Sequence, residues 1–228
     1  MHKRALNYKT DPAYAPAFDG DWLMTYSGVD FPVVRPAGGW GPYLRLEDIA
    51  HAQSQICRYV GHTRVFYSVA EHSVLVALRT LQIAAELGIR GDDLLRVGRG
   101  GLGHDFTEAY IMDVPSPLKR APMFAGYKEH EASLHADIAD HYDFRLTAVE
   151  ERIVKLADME MLAVEARDVM GPCRRQWLLP TPTLKGEGSW EFQPDTKAVL
   201  GEFKAGTMTP EQAKAAVLAM AERLGMRD

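Results

Sequence analysis

The stretch YSVAEHS at residues 67–73 and the stretch TAVE at residues 147–150 decide the fold of this chain. In each, Ser or Thr is followed three residues later by Glu, which is the pattern of a capping box at a helix start. The first predicts a helix that runs to Leu87, and the second predicts one that runs to Met170. A glycine follows each predicted end, as is usual where helices stop. Two long helices of this kind favour an all-α bundle.

Around these two helices, apolar residues recur at helical spacing in further segments. The other predicted helices are 46–56, a stretch capped by Asp92 or Asp93 that runs toward His104, 124–143, and 210–224, where Thr209 is the predicted cap with Gln212 three residues later. Frequent Pro, Gly and aromatic residues predict an irregular arm over 1–44, with a short strand pair around Trp22 to Val34. We therefore predict an arm (1–44), a helical core (45–171), and a C-terminal loop with possible short strands plus a helix that packs on the core (172–228).

Composition excludes several classes of protein. The chain has 26 Lys+Arg and 31 Asp+Glu, and its basic residues are scattered, so we expect no duplex nucleic acid as a partner. There is no run of 18 apolar residues and no apolar segment typical of a signal peptide, which predicts a soluble, cytoplasmic protein with no membrane partner. Cys57 and Cys173 are far apart, and we interpret them as free thiols.

Four side chains on three predicted helices could bind a metal ion: His72, the adjacent pair His104 and Asp105, and Asp158. Nitrogen and oxygen donors on rigid elements are what a hydrolytic metal site requires. Taken singly, each has another explanation, because a helical His is more often a core or surface residue. Asp158 lies among apolar residues within a helix, so it needs a partner, and a buried salt bridge competes with an ion.

Glu108 follows His104 by four residues and would project from the same helical face, one turn along. A carboxylate there could orient a water or exchange a proton with a leaving group. The alternative is a solvated Glu. A second histidine set at positions 130, 135 and 141 has spacings of five and six, so we assign it no ligand role.

Three stretches together resemble a known family. They are CRYVGHT leading into YSVAEHS (57–63 and 67–73), GHDFTEAY leading into DVPSPLK (103–110 and 113–119), and VKLAD (154–158). In order and spacing they are similar to the metal-dependent HD-domain phosphohydrolases, and most similar to the bacterial 5′-deoxynucleotidases and the phage-encoded deoxynucleotide (tri)phosphohydrolases. Segments 25–28 and 47–51 resemble the phage-type members in particular.

The resemblance implies a role for each matching residue. It places His72, His104, Asp105 and Asp158 on a divalent ion, which could be Co²⁺, Mn²⁺, Zn²⁺, Ni²⁺, Fe²⁺ or Mg²⁺. The implied catalytic residues are Glu108, which assists water attack, Arg58, which orients the phosphate, and Asp113. The implied substrate contacts are Arg58, Tyr59, His62, Asp113, Ser116 and Lys119.

The implied activity is metal-dependent hydrolysis of the 5′-phosphate ester of a deoxynucleotide. A monophosphate would give nucleoside and phosphate, whereas a triphosphate would lose its whole tail and require further cations, for which Arg64, Lys119, Arg120 and Lys128 are candidates. A cyclic-nucleotide or other phosphodiesterase and a non-catalytic nucleotide-binding regulator are the alternatives. The resemblance also implies a homo-oligomer, a dimer or larger. The apolar stripe of the last helix (Ala213, Val217, Met220, Leu224) is more simply explained by packing on its own core.

One segment departs from the family. Gly98, Gly100, Gly101 and Gly103 stand where the family has an aliphatic helix, so the continuity of that helix is open. No Gly-Lys-Ser/Thr follows these glycines, which argues against a phosphate-binding loop. We predict instead that the small residues allow helices to pack closely.

Overall fold

The fold was analysed in a computed structural model that describes residues 20–172, 184–185, 191–192 and 196–228. The described chain is all-α, with two short antiparallel strand pairs, β1 (Trp22–Met24) with β2 (Asp30–Pro32) and β3 (Leu184–Lys185) with β4 (Glu191–Phe192). The helices are α1 (Leu46–Gln55), α2 (Val69–Glu86), α3 (Gly91–Gly103), α4 (Glu108–Ile111), α5 (Ser116–Lys119), α6 (Ala125–His141), α7 (Ala148–Asp168), α8 (Thr196–Glu202) and α9 (Pro210–Arg223). The predicted arm before residue 20, and Cys173, lie outside the described residues.

Helix α2 is the centre of the bundle. Every residue from Val69 to Ala77 is buried, and α1, α3, α7 and α9 pack around it. A helix that is covered on all sides has no solvent-facing stripe on which its polar residues could be hydrated. Its polar residues must therefore find partners inside the protein, and one of them is His72.

Two of the three predicted capping boxes have the expected form. Thr147 accepts a hydrogen bond from the Glu150 amide while the Glu150 carboxylate accepts one from the Thr147 amide, and Thr209 and Gln212 are bonded in the same reciprocal way. At α2 only half of the box forms. Ser68 Oγ accepts from the Glu71 amide, but the Glu71 carboxylate accepts from the backbone amides of residues 207 and 208 instead. Glu71 thus fixes the connection between α8 and α9 to the core.

The glycine-rich helix α3 is continuous from Gly91 to Gly103. It begins before Asp92 and Asp93, neither of which is the cap, and their carboxylates lie in its first turn, where the helix dipole favours negative charge. A Cβ added at Gly101 would lie 2.7 Å from Thr80 Oγ1, and one at Gly103 would lie 2.6 Å from Phe144 Cζ. These glycines permit close packing, as predicted.

The described part of the arm packs on the helices. Ser27 donates two hydrogen bonds to the Asp48 carboxylate on α1, and the fully buried Trp40 donates from Nε1 to the Pro32 carbonyl. The Trp40 amide also donates to Asp137 on α6. The arm therefore covers one end of the bundle.

The C-terminal segment adds a helix that the sequence did not predict, α8, and the predicted α9. The apolar stripe of α9 is buried against its own chain, which confirms the prediction that the stripe packs on its own core. In the described parts of the chain, no helix combines the length and the apolar character needed to cross a membrane.

Candidate active site

His72 lies in the first turn of α2 and is fully buried. Its Nε2 atom is 3.2 Å from His104 Nε2, 3.4 Å from Asp158 Oδ1 and 3.6 Å from Asp105 Oδ2. The neighbours come from two separate parts of the chain, the turn after α3 and the middle of α7. We call these four side chains the donor cluster.

His104 and Asp105 lie in the turn that follows α3. His104 Nδ1 is 2.9 Å from the Gly101 carbonyl, to which it must donate, so Nε2 is left to accept and faces the cluster. Asp105 Oδ2 is 3.2 Å from that Nε2 atom. Helix α3 ends at Gly103 and α4 begins at Glu108, so the prediction that His104 and Glu108 share one helical face is wrong. Tight turns between them replace the regular helix, with amides bonded to carbonyls three residues back.

Asp158 lies in the middle of α7. Its Oδ1 atom faces His72, and its Oδ2 atom accepts a hydrogen bond from Lys155 Nζ at 2.7 Å. The predicted need for a partner is met on both sides of the carboxylate, because one oxygen is paired with a lysine and the other belongs to the cluster.

The donor set fits a divalent ion. Two imidazole nitrogens and two carboxylate oxygens converge, and His72, His104 and Asp158 each offer an atom within 4.8 Å of the others. An ion about 2.1 Å from each donor sets neighbouring donors about 3.0 to 3.4 Å apart, close to the separations observed around His72. The set contains no thiolate, so it does not select among Mn²⁺, Co²⁺, Fe²⁺, Ni²⁺, Zn²⁺ and Mg²⁺.

Opposite charges shift the pKa values within the cluster. Burial and Arg58 each lower the pKa of His72, yet Glu165 and Asp158 outweigh them and raise it to about 9. Burial raises the pKa of the Asp105 and Asp158 carboxyls, but their histidine neighbours dominate and lower both below the usual range. The site therefore favours positive charge between ionised carboxylates, which is the environment that a cation requires.

Glu108, the first residue of α4, is buried. Burial, followed by the charges of Asp105 and Asp113, raises the pKa of its carboxyl well above the ordinary value. Its Oε1 atom is 3.9 Å from Lys119 Nζ, and its Oε2 atom forms no hydrogen bond within the described residues. A buried carboxyl with a raised pKa beside a charged cluster can take part in proton transfer.

Arg58 borders the donor cluster. Its Nη1 atom is 3.4 Å from Asp105 Oδ2 and its Nη2 atom is 3.4 Å from Glu165 Oε2. The next residues, Tyr59 and Val60, have φ values of 56°. This left-handed conformation is costly for a β-branched residue such as valine. The turn therefore needs support from the residues around it.

The other predicted substrate contacts differ in burial and in the charged groups beside them. Asp113 is half-buried, and its pKa is raised by burial against the opposing effect of Arg58. Lys119 Nζ is 2.6 Å from Glu131 Oε1, so much of its charge is already paired. His62 and Ser116 are exposed, and within the described chain no hydrogen bond joins either of them to the cluster.

Sequence reasoning missed Glu165, a fully buried carboxylate on α7. Its Oε1 atom is 2.5 Å from His72 Nδ1 and 3.0 Å from Tyr67 Oη, and its Oε2 atom accepts from Tyr59 Oη. Burial raises the pKa of this carboxyl, but Arg58 and His72 dominate and lower it to about 2. One signal was available: Glu165 follows Asp158 by seven residues, which is two helical turns on the same face.

A cavity of about 310 Å³ opens beside the cluster. It is lined on one side by donor-cluster residues and on the other by residues of α6, α7 and the loop between them, including His104, Asp105, Asp158, His135, Lys155 and Phe144. A molecule that enters this cavity would reach three of the four donor residues directly.

No protein-family model matches the chain. The chain is similar to "Uncharacterized protein YfdR" of Escherichia coli (strain K12), with 41% identity over 125 residues. The matched part is 54% of this chain, and the chain spans 60% of the length of that relative.

Proposed function

We propose that this protein is a divalent-metal-dependent phosphohydrolase of the HD-domain type that acts on the 5′-phosphate ester of deoxynucleotides. The observation that carries the proposal is the convergence of His72, His104, Asp105 and Asp158 within bonding reach of one ion. A partly buried cationic side chain, Arg58, borders them. Together they provide positive charge for a phosphate and donors for a metal.

The donor cluster would hold the ion, and the fit of its nitrogen and oxygen atoms supports that role. A divalent ion there would withdraw electron density from a phosphate oxygen and make a water molecule more acidic. The protein itself must fix the donors, place the phosphate and move a proton. Arg58 would place the phosphate, and Glu108 would move the proton.

Arg58 would neutralise charge that develops on the phosphoryl group. Its guanidinium already lies between Asp105 and Glu165, so both nitrogens of its fork are oriented before a phosphate arrives. A planar fork matches phosphate oxygens better than an ammonium would.

Glu108 would handle the proton. Hydrolysis forms a bond from a water oxygen to phosphorus and breaks the ester P–O bond, and the departing oxygen needs a proton. Because burial raises the pKa of Glu108, its Oε2 atom can carry that proton and then recover one from the attacking water.

A monophosphate is the favoured substrate within this proposal. Triphosphate cleavage needs cations beyond Arg58, and two candidates are already used. Lys119 is paired with Glu131, and Arg64 Nη2 donates to the carbonyls of Arg167 and Asp168. Asp113, Ser116, Tyr59 and His62 are proposed nucleotide contacts. A cytoplasmic location and a homo-oligomeric state belong to the same proposal.

The proposal is tested by phosphate release from a panel of ribo- and deoxynucleotide mono- and triphosphates with several metals. Triphosphate arms are also assayed for released tripolyphosphate, cyclic-nucleotide arms are assayed for the linear monophosphate, and binding of each nucleotide is measured in parallel. We expect turnover of a deoxynucleoside monophosphate by the parent and loss of it in Asp105→Ala. Glu108→Ala should lower kcat by about 10²- to 10⁴-fold. Glu129→Ala, at an exposed carboxylate on α6, is the matched control.

Two other outcomes of the panel identify the alternatives. Hydrolysis of cyclic nucleotides alone would replace the proposal with a phosphodiesterase. Nucleotide binding without turnover of any substrate would replace it with a regulator. Equal rates in the parent, Asp105→Ala and Glu108→Ala would exclude these residues as the source of activity.

A further inference from the structure

Glu165 contacts both halves of the candidate active site. Its Oε1 atom faces the proposed metal ligand His72, and its Oε2 atom faces Arg58 and Tyr59 on the proposed phosphate side. It is completely buried, and each of its oxygens has at least two partners. A buried charge with this many partners fixes its neighbours firmly, because any other arrangement leaves a charge unpaired.

On the metal side, Glu165 determines which nitrogen of His72 can bind an ion. A carboxylate accepts hydrogen bonds, so the 2.5 Å contact requires a proton on His72 Nδ1. The lone pair of a neutral His72 then lies on Nε2, the atom that faces His104, Asp105 and Asp158. A carboxylate behind a ligating histidine fixes the ring orientation and makes the ligand more basic.

On the phosphate side, Glu165 supports a strained turn. Tyr59 and Val60 have left-handed backbone angles, and Tyr59 Oη donates to Glu165 Oε2. The Arg58 amide donates to the Tyr67 carbonyl at 2.9 Å, and Tyr67 Oη donates to Glu165 Oε1. The carboxylate thus holds the turn that positions the Arg58 guanidinium, both directly and through Tyr67.

Glu160 shows what a structural carboxylate on the same helix looks like. It is also buried on α7, five residues before Glu165, but its partner is Arg79 on α2, with Arg79 Nε 2.5 Å from Glu160 Oε2. Neither residue contacts the donor cluster within the described chain. Both are buried glutamates on α7, but Glu165 binds His72 and Arg58 at the candidate active site, whereas Glu160 binds Arg79 outside it.

We propose that Glu165 is a positioning residue that holds His72 in its metal-binding orientation and Arg58 in its phosphate-binding orientation. Binding of the ion and binding of the phosphate would then both depend on one side chain that touches neither. This inference rests on the proposed function, because it assigns His72 and Arg58 their roles from it.

The test compares Glu165→Gln, which keeps the shape and removes the charge, with Glu160→Gln and Tyr67→Phe. Three quantities are measured: the Kd of Mn²⁺ for the chelator-treated protein by calorimetry, the visible absorption spectrum of the Co²⁺-loaded protein, and the Kd of inorganic phosphate for the Mn²⁺-saturated protein. Circular dichroism and thermal unfolding establish that each variant is folded.

We expect Glu165→Gln to weaken Mn²⁺ binding by about 10- to 100-fold, as loss of an outer-sphere partner does elsewhere. The Co²⁺ spectrum should change, because the orientation of His72 changes, and phosphate binding should weaken at saturating Mn²⁺. Tyr67→Phe should shift the same quantities in the same direction by less. Glu160→Gln should lower thermal stability and leave the Mn²⁺ affinity and the Co²⁺ spectrum unchanged.

The inference is overturned if Glu165→Gln binds Mn²⁺ with the parent's Kd and has an unchanged Co²⁺ spectrum. It is also overturned if Glu160→Gln weakens Mn²⁺ binding as much as Glu165→Gln does. If Glu165→Gln does not fold, Tyr67→Phe decides: an Mn²⁺ affinity and a Co²⁺ spectrum equal to the parent's overturn the inference. Failure of the proposed function gives a different result, because the parent itself would then bind no Mn²⁺ or hydrolyse no nucleotide.

Discussion

The two sides of the candidate active site are built differently. The metal side is carried largely by α2 and α7, and hydrogen bonds fix its side chains, among them the fully buried His72 and Glu165. The opposite side, residues 112–124, consists of a one-turn helix and short turns, with Met112, Leu118 and Met123 exposed. A single helical turn is not stable alone and depends on tertiary contacts. The metal side is therefore pre-organised, while the 112–124 side is the part that a substrate can reshape.

The largest effect expected from this difference is on catalysis. Asp158→Asn changes a donor on the metal side, so kcat/KM should fall by about 10³-fold or more, with loss of bound ion. Asp113→Asn changes a proposed nucleotide contact on the other side, so we expect a loss of about 10- to 100-fold, mainly in KM, with ion content unchanged. Steady-state kinetics and metal analysis of both variants measure this. Equal losses with equal ion contents would remove the distinction between the two sides.

A second pair of variants compares packing around the two sides. A Cβ at Gly103 on α3 would meet Phe144 at 2.6 Å, whereas one at Gly126, at the start of α6 beside the 112–124 side, would meet nothing within 4 Å. Gly103→Ala should therefore lower the free energy of unfolding by about 1–3 kcal/mol. Gly126→Ala should raise it by about 0.5–1 kcal/mol, since alanine is the better helix former. Urea denaturation checks both signs. A stabilising Gly103→Ala would contradict the close packing of α3.

The smallest effect concerns the start of α7, the helix that carries Asp158 and Glu165. Burial raises the pKa of Glu150, but Arg96 and the Thr147 amide outweigh it and lower the pKa below its ordinary value of 4.5. The carboxylate therefore stabilises the fold above about pH 4.5, and this contribution disappears as the pH falls through the folded-state pKa. Glu150→Gln keeps the capping-box hydrogen bond and removes the charge that pairs with Arg96, so it should cost about 0.5 kcal/mol at pH 7. The difference from the parent should shrink in acid, as measured by unfolding at several pH values. A constant difference would mean that the charge has no part in it.

Local signals made most of the fold predictable. The caps at Ser68, Thr147 and Thr209 each depend on residues three positions apart, so the sequence shows them directly. Helix α8 was missed, since Asp195 before it is followed three residues later by alanine rather than Glu or Gln, so the sequence shows no capping box there. Glu71 was misassigned because its carboxylate is bound by amides more than 130 residues later in the chain, which no local pattern reveals.

The residues of the candidate site likewise fall into those that the sequence indicated and those that depend on distant parts of the chain. His72, His104, Asp105 and Asp158 were proposed from residue type and order, and the structure brings all four together. Glu165 was not proposed, because a glutamate in a helix is usually solvated and its partners come from two other segments. Its burial follows from tertiary packing, and a seven-residue spacing from Asp158 is the only trace that it leaves in the sequence.

Titration of Mn²⁺ into the chelator-treated protein tests the central claim, that these four side chains hold one divalent ion. We predict one Mn²⁺ per chain in the parent and in Glu129→Ala. In His104→Ala the affinity should fall by more than the about 10- to 100-fold typical of an outer-sphere partner. No binding by the parent, or equal Kd values in the parent and His104→Ala, would contradict the account.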